Sequence, residues 1–239
     1  MYWKTFFKRC IYQSEDLHVY DNFIYRWLEF DNLAIQTLIN KANPQKISLK
    51  YIEALILAVK IRPGDCCMLG LGGGGAVHAL EPLLSNFQLD VIEKNKEVID
   101  VAKEFFKLNE TKAKLIHDDA KEYLKKEGEQ FNHLLVDLYA NNTFPKECNN
   151  QQFFINCKKR LKPQGVLAVN LATEEDRWPI LELIRNLFPK TTLSILVENN
   201  RNFIIFAVND ESLASFLPQL ETKVKSLNWD SKWGIIAKI

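Results

Sequence analysis

Hydrophobic and polar residues change period along this chain. From about Lys8 to Ile39 they alternate in short runs, and the spacing predicts four strands: Arg9–Gln13, Leu17–Tyr20, Phe23–Phe30 and Leu33–Ile39. The dipeptides Asp21-Asn22 and Asp31-Asn32 stand between strands, and these residue types bond their own backbone in turns. The result is a β-meander rich in Tyr, Phe, Ile and Trp, too small to hold a core alone. It should pack on the following residues or on a partner chain. After Pro44 the period lengthens. Ser48 is the expected cap of a helix carrying Leu49, Ile52, Leu55, Ile56 and Val59 on one face.

From Cys66 onward strands and helices alternate. Cys66–Leu69, the run closing at Glu93, Lys114–Ile116, Phe131–Val136 and Val166–Asn170 read as buried strands. Between them lie a helix entered at Gly75, one capped by Asn95, one starting after Asp119, and one from Gln151 to Leu161. A turn is expected at Lys162-Pro163-Gln164-Gly165, and a polar loop from Ala140 to Pro145. Glu174–Leu187 is a further helix. Thr192–Val197 and Phe203–Val208 form a hairpin across residues 198–202, and a last helix from about Ser212 leads to Trp229 and Trp233. This order predicts a doubly wound α/β sheet, mostly parallel and seven-stranded, closed by an antiparallel hairpin. The expected division is a small β domain over 1–46 and a Rossmann-like domain over 47–239.

Glycine is scarce except at one place: six of the nine lie between Gly64 and Gly75. Strand, glycine loop, helix, strand and acidic residue form the signature of a nucleotide-binding βαβ unit. Gly70, Gly72 and Gly74 are the loop positions expected against the ligand, with Glu93 on ribose hydroxyls. Ligands of open α/β sheets bind outside the carboxyl ends of the strands. Three acidic sites fall there: Glu93, the pair Asp118/Asp119, and Asp137. Asp118 or Asp119, helped by the amide of Ala120, would accept from an adenine amino group. Asp137 would face the reactive end of the ligand. Taken alone, each could equally be a helix cap or a solvated turn.

Composition narrows the classes further. Thirty-one Lys and Arg against 30 Asp and Glu leave a formal charge of +1, which argues against nucleic acid as a partner. No apolar run is long enough to span a membrane, and Lys4, Lys8 and Arg9 interrupt the aromatic start of the chain. Five cysteines without metal-ligand spacing read as reduced thiols. A cytoplasmic protein without a metal is expected.

Seven segments resemble the spermidine synthases (polyamine aminopropyltransferases) and their relatives: YRWLEFDNLAIQT, LKYIEALILA, MLGLGGGGAVHAL, LDVIEKNKEVIDVAKEFF, HDDAKEYL, FNHLLVDLYANN and RLKPQGVLAVN. The likeness runs roughly from Tyr20 to Val208. It implies a class I AdoMet-methyltransferase-like Rossmann fold behind an N-terminal β-meander, with AdoMet or its decarboxylated form as co-substrate. It also implies transfer of an aminopropyl group to a small amine such as putrescine, and a homodimer. It puts Gln36 at the ligand border, Tyr51 at the substrate, Asp119 at the adenine, and Asp137 in catalysis; Tyr139, on the loop after Asp137, is by its position the residue expected to line a substrate pocket. The synthases carry acidic residues or histidine where this chain has Gly73, Ala140 and Leu57, so the nucleoside half is matched more fully than the amine half. A methyltransferase and a non-catalytic nucleoside-binding or assembly protein stay open. The terminal hairpin and HDDAKEYL speak against an NAD dehydrogenase.

Overall fold

The computed structural model describes residues 2–30, 35–140, 143–198 and 200–239. Strands β1 (Arg9–Gln13), β2 (Leu17–Asp21), β3 (Tyr25–Phe30) and β4 (Ile35–Asn40) pair antiparallel in that order. Inward Leu17 and Val19 alternate with half-exposed His18 and Tyr20, as the two-residue period requires. The expected turn at Asp21-Asn22 is shifted. Asp21 lies within β2, buried, among Arg9, Arg26 and Lys41 at 3.2, 3.1 and 3.6 Å. Burial pushes its carboxyl up, but the hydrogen bond from Arg26 and the charges of Lys41 and Arg9 outweigh that and hold it below its usual range. Asn22 makes the turn alone, its Oδ1 accepting from the amides of Ile24 and Tyr25. The expected Asp31-Asn32 turn, with Leu33 and Ala34, lies outside the described residues.

Helices α1 (Lys50–Leu55) and α2 (Leu57–Ile61) follow, broken at Ile56. Leu49 occupies the N-cap with no side-chain cap, so the expected role of Ser48 is not realised. Ser48 sits one residue too early, because burial of Leu49 sets where the extended entry ends. The strands and helices that come next are β5 (Cys66–Leu69), α3 (Gly75–Leu80), β6 (Leu89–Glu93), α4 (Lys96–Phe105), β7 (Lys114–His117), α5 (Ala120–Lys125) and β8 (Phe131–Val136). They continue with α6 (Gln151–Lys159), β9 (Leu161–Leu171), α7 (Glu174–Leu187), β10 (Thr192–Leu196) and β11 (Phe203–Val208). The last are α8 (Leu217–Glu221), β12 (Ser226–Asp230) and β13 (Gly234–Lys238).

The large sheet runs β12-β13-β10-β11-β9-β8-β5-β6-β7. Its strands β7, β6, β5, β8 and β9 are parallel and β11 returns antiparallel between β9 and β10. This is the mostly parallel, methyltransferase-like Rossmann order, with nine strands rather than the expected seven. The expected terminal helix is realised only as the short α8, and the two extra strands follow it. Asp230 Oδ1 accepts from the amides of Lys232 and Trp233, folding the segment into a hairpin whose second strand adds parallel to β10. The expected turn at 162–165 is instead a bulge inside β9. Leu161 pairs with Phe131 and Val166 with His133, so the intervening residues of β9 loop out.

Alternate residues of the central strands feed two apolar layers. Cys66 and Met68 face the layer built with α1, α3, α4 and the meander; Cys67 and Leu69 face the layer built with α6 and α7. The meander thus packs on the first layer through Trp27, Leu28 and Leu38, all essentially inaccessible. Its β4 is thereby laid along the glycine loop. No helix among the described residues is long and apolar enough to cross a membrane.

Candidate functional site

The carboxyl ends of β5, β6, β7 and β8 open along one edge of the sheet, onto a cavity of ≈ 170 Å³. Gly70, Leu71 and Gly72 form one wall, and Glu93, Asp119, Ala120 and Asp137 enter from successive strand ends. Gly70 has φ +92°, and a Cβ there would lie 2.2 Å from the carbonyl oxygen of Asp137, so only glycine lets β5 and β8 deliver their ends so closely. Glu93 joins β6 to the loop: Oε2 accepts from the amide of Leu71 at 3.0 Å and Oε1 from that of Asn95 at 2.8 Å. Asn95 in turn caps α4 through the amides of Glu97 and Val98.

The structure separates the adjacent aspartates. Asp119 caps α5, Oδ1 accepting from the amides of Lys121 and Glu122, and lines the cavity beside Ala120. Capping and lining are compatible because one oxygen serves both amides. Asp118 does not line it: Oδ1 accepts from the amide of Asp119 and Oδ2 is engaged by Lys126. Gly74 also differs from expectation. It is the N-cap of α3, and a Cβ there would meet the Leu108 side chain at 2.5 Å, so its surroundings are packing rather than cavity.

Asp137 sits just past β8, partly buried, and its two oxygens are both held. Oδ1 accepts from Asn170 Nδ2 at 2.7 Å, and Oδ2 from the Tyr51 hydroxyl at 3.2 Å. Burial raises its pKa to about 6, against the lowering effect of the bonds from Asn170 and Tyr51. Burial, with the charge of Asp137, pushes the phenols of Tyr51 and Tyr139 well above the usual range, so both stay protonated and neutral. A carboxylate poised near neutrality and aimed by two donors is suited to accepting a proton.

Two residues of this network were not singled out by sequence. Asn170, fully buried near the end of β9, donates to Asp137. Asn202, just before β11, donates to Asn170 Oδ1 at 2.9 Å and lies 3.5 Å from the Tyr139 hydroxyl. A polar residue ending an apolar strand was the available signal for Asn170. A second cleft of ≈ 340 Å³ is lined by Gln36, Tyr51, Tyr139, Thr173, Arg201 and Asn202 among others. Gln36 and Tyr139 belong to both cavities, and Tyr51 reaches Asp137 from the second.

Of the three positions without acidic groups or histidine, Gly73 has a cause in its packing. The amide of Gly73 donates to Thr37 Oγ1 at 2.9 Å, and a Cβ at Gly73 would lie 2.9 Å from Thr37 Cβ and Cγ2. Thr37 of β4 has filled the space a loop side chain would take. Leu57 is buried in the core, and Ala140 bridges to Thr143. Residues Asn141 and Asn142 of the expected polar loop lie outside the described residues.

Comparison with known proteins follows this geometry. The profile of the spermine/spermidine synthase domain matches residues 50–206. A polyamine aminopropyltransferase of Neisseria meningitidis serogroup A is 22% identical over 209 residues, covering 85% of this chain and 80% of that one. The crystal structure of a probable spermidine synthase from Corynebacterium glutamicum superimposes with a TM-score of 0.75 at 16% identity, covering 95% and 89%. Human methyltransferase-like protein 13, in complex with SAH, superimposes at 0.64 and 19% identity, covering 77% and 96%. At such identities the two structures share the fold, and the profile match decides the rest. The chain belongs to the spermine/spermidine synthase domain family.

Proposed function

We propose that this protein transfers an aminopropyl group from decarboxylated AdoMet to an amine. The observation that supports this most is Asp137, which lines the nucleoside cavity and is oriented by Asn170 and by Tyr51, a residue that lines the second cleft. The nucleoside would lie over Gly70–Gly72, its ribose toward Glu93 and its adenine toward Asp119 and the amide of Ala120. Positive sulfur makes the adjacent carbon of the aminopropyl chain electrophilic, so the protein's task is positioning and deprotonation. An amine with a pKa of about 10 is almost wholly protonated at neutral pH and has no lone pair to offer. Asp137 takes that proton. The freed nitrogen attacks the carbon, the carbon–sulfur bond breaks with its electron pair going to sulfur, and methylthioadenosine leaves. The test is methylthioadenosine release from decarboxylated AdoMet in the presence of amines. Asp137→Asn should lower turnover by about 10²–10⁴-fold while nucleoside binding persists; full activity of that variant would remove Asp137 from the role.

A second reading, methyl transfer from AdoMet, is favoured by one observation: Thr37 leaves no room for a carboxylate at Gly73. An AdoMet carboxylate near that loop would then meet no like charge. Release of S-adenosylhomocysteine instead of methylthioadenosine would establish it.

A further inference from the structure

The meander leaves one of its ends uncovered. Among the described residues five large apolar side chains are more than half exposed, and four of them, Phe6 (66%), Phe7 (79%), Phe23 (96%) and Ile24 (52%), share that end. Asn22 gathers them. Its Nδ2 donates to the carbonyls of Lys4 and Phe6 at 2.8 and 3.0 Å, while its Oδ1 holds the amides of Ile24 and Tyr25. The segment before β1 is thereby fastened to the β2–β3 turn. Arg9 pairs with Asp21 and Tyr25 with Asn40, so the start of β1, this turn and the end of β4 lie at the same end of the sheet. The acidic turn Glu15-Asp16 lies at the other end, beyond the Gln13–His18 pair. The exposed end is cationic. Asp21 is one buried carboxylate among Arg9, Arg26 and Lys41, and the Arg9 side chain is 75% exposed. Lys41 Nζ also engages the carbonyl of Asn22 in the turn itself. Burial, and then the like charge of Lys46, lower the Lys4 pKa, so a second pair of cations stands close by. Lys8 is balanced: it lies over the Tyr20 ring and reaches Glu29 at 3.8 Å.

Exposed phenylalanines on a turn, ringed by cations, fit a surface that admits apolar groups to a shallow depth and carries negative charge. A second copy of this chain would set the same cations against these, which is unfavourable. A protein partner would need a pocket for a side chain as prominent as Phe23, whereas an anionic bilayer needs none. We propose that this end of the meander is a peripheral membrane-docking surface. Phe6, Phe7, Phe23 and Ile24 would enter the headgroup boundary of an anionic bilayer, with Arg9, Lys41 and their neighbours against the lipid phosphates. A few inserted side chains and cations give reversible attachment rather than anchoring. Docking and nucleoside binding use opposite ends of the meander: β3 starts here with Tyr25, and its last residue, Phe30, lines the nucleoside cavity about 17 Å further along the strand. The inference is independent of which group the site transfers.

The test is co-sedimentation of the full chain with vesicles of phosphatidylcholine alone, and of phosphatidylcholine with an equal part of phosphatidylglycerol, at low and high salt. The mixed vesicles should bind at least about tenfold more tightly, and their advantage should shrink as salt is added. Phe7→Ser and Phe23→Ser should each weaken binding about tenfold. Arg9→Gln should weaken it about fivefold, whereas Arg9→Lys changes little. All three side chains are exposed, so each variant should keep the parent's Tm, which separates lost docking from lost folding. No binding to the mixed vesicles, equal binding to phosphatidylcholine alone, or binding untouched by both phenylalanine substitutions overturns the inference. So does sedimentation velocity that finds a parent dimer dissociated by Phe23→Ser, which would make the patch a contact between copies.

Discussion

Asp137→Asn should make the protein more stable at the same time as it makes it inactive, and the gain should depend on pH. In the folded protein the carboxyl titrates at about 6, against 3.8 for the ordinary group, because burial penalises its charge more than Tyr51 and Asn170 compensate it. A group whose pKa rises on folding binds its proton more tightly in the native state. Its ionisation is therefore a cost that is absent well below 3.8, grows between 3.8 and 6, and is complete above 6. A shift of that size corresponds to about 2–3 kcal/mol. Asparagine avoids the cost while keeping the geometry: its oxygen can accept from Asn170 and its amide can donate to the Tyr51 oxygen. For a chain of this length each kcal/mol moves Tm by about 2–4 °C, so Asp137→Asn should melt roughly 5–10 °C above the parent at pH 8. Scanning calorimetry at pH 4 and pH 8, on both proteins in matched ionic strength, measures the difference. A gap that is the same at both pH values, or a variant that melts lower at pH 8, would refute the account of Asp137 as a desolvated carboxylate.

Other expectations follow from the same contacts. Asn170→Leu removes the 2.7 Å donor that holds Asp137 down, so the acidic limb of the kcat/KM profile should move up by about one pH unit, read from rates between pH 5 and 9. Gly70→Ala forces a Cβ onto the Asp137 carbonyl from a φ of +92° and should cost at least about 2–3 kcal/mol in urea unfolding, with loss of nucleoside binding. His133 is buried, with Nε2 on the Arg62 carbonyl, and burial lowers its pKa from 6.5 to about 4. Unfolded chains bind its proton first, so stability from this group is whole above 6.5 and is lost as pH falls toward 4; His133→Gln should flatten that part of the stability curve. Gly73→Asp should lower stability, and its cost should be smaller in a Thr37→Gly background than in the parent, because the threonine side chain at 2.9 Å is part of the obstruction; a double-mutant cycle in urea unfolding measures the difference.

Much of the architecture and part of the site are local properties, and these the amino-acid order determined by itself. The switch from two-residue to helical period marks meander and doubly wound sheet, since one strand or helix suffices to express it. Caps are likewise local: Asn95 and Asp119 satisfy amides two and three residues ahead. Gly70 and Glu93 are legible because a tight strand–loop–helix unit limits which residues can stand there. Everything that depends on distant segments meeting was decided only by tertiary structure. Tyr51 and Asp137 are 86 positions apart, and Asn170 and Asp137 are 33 apart. The terminal hairpin forms because β10 offered an unpaired edge to Gly234–Lys238, a condition no window of that segment contains. Thr37 came to occupy the space over Gly73, 36 residues away, because the meander packs its fourth strand along the glycine loop. Burial, which sets the pKa of Asp137, belongs to the assembled core and to no single stretch of chain.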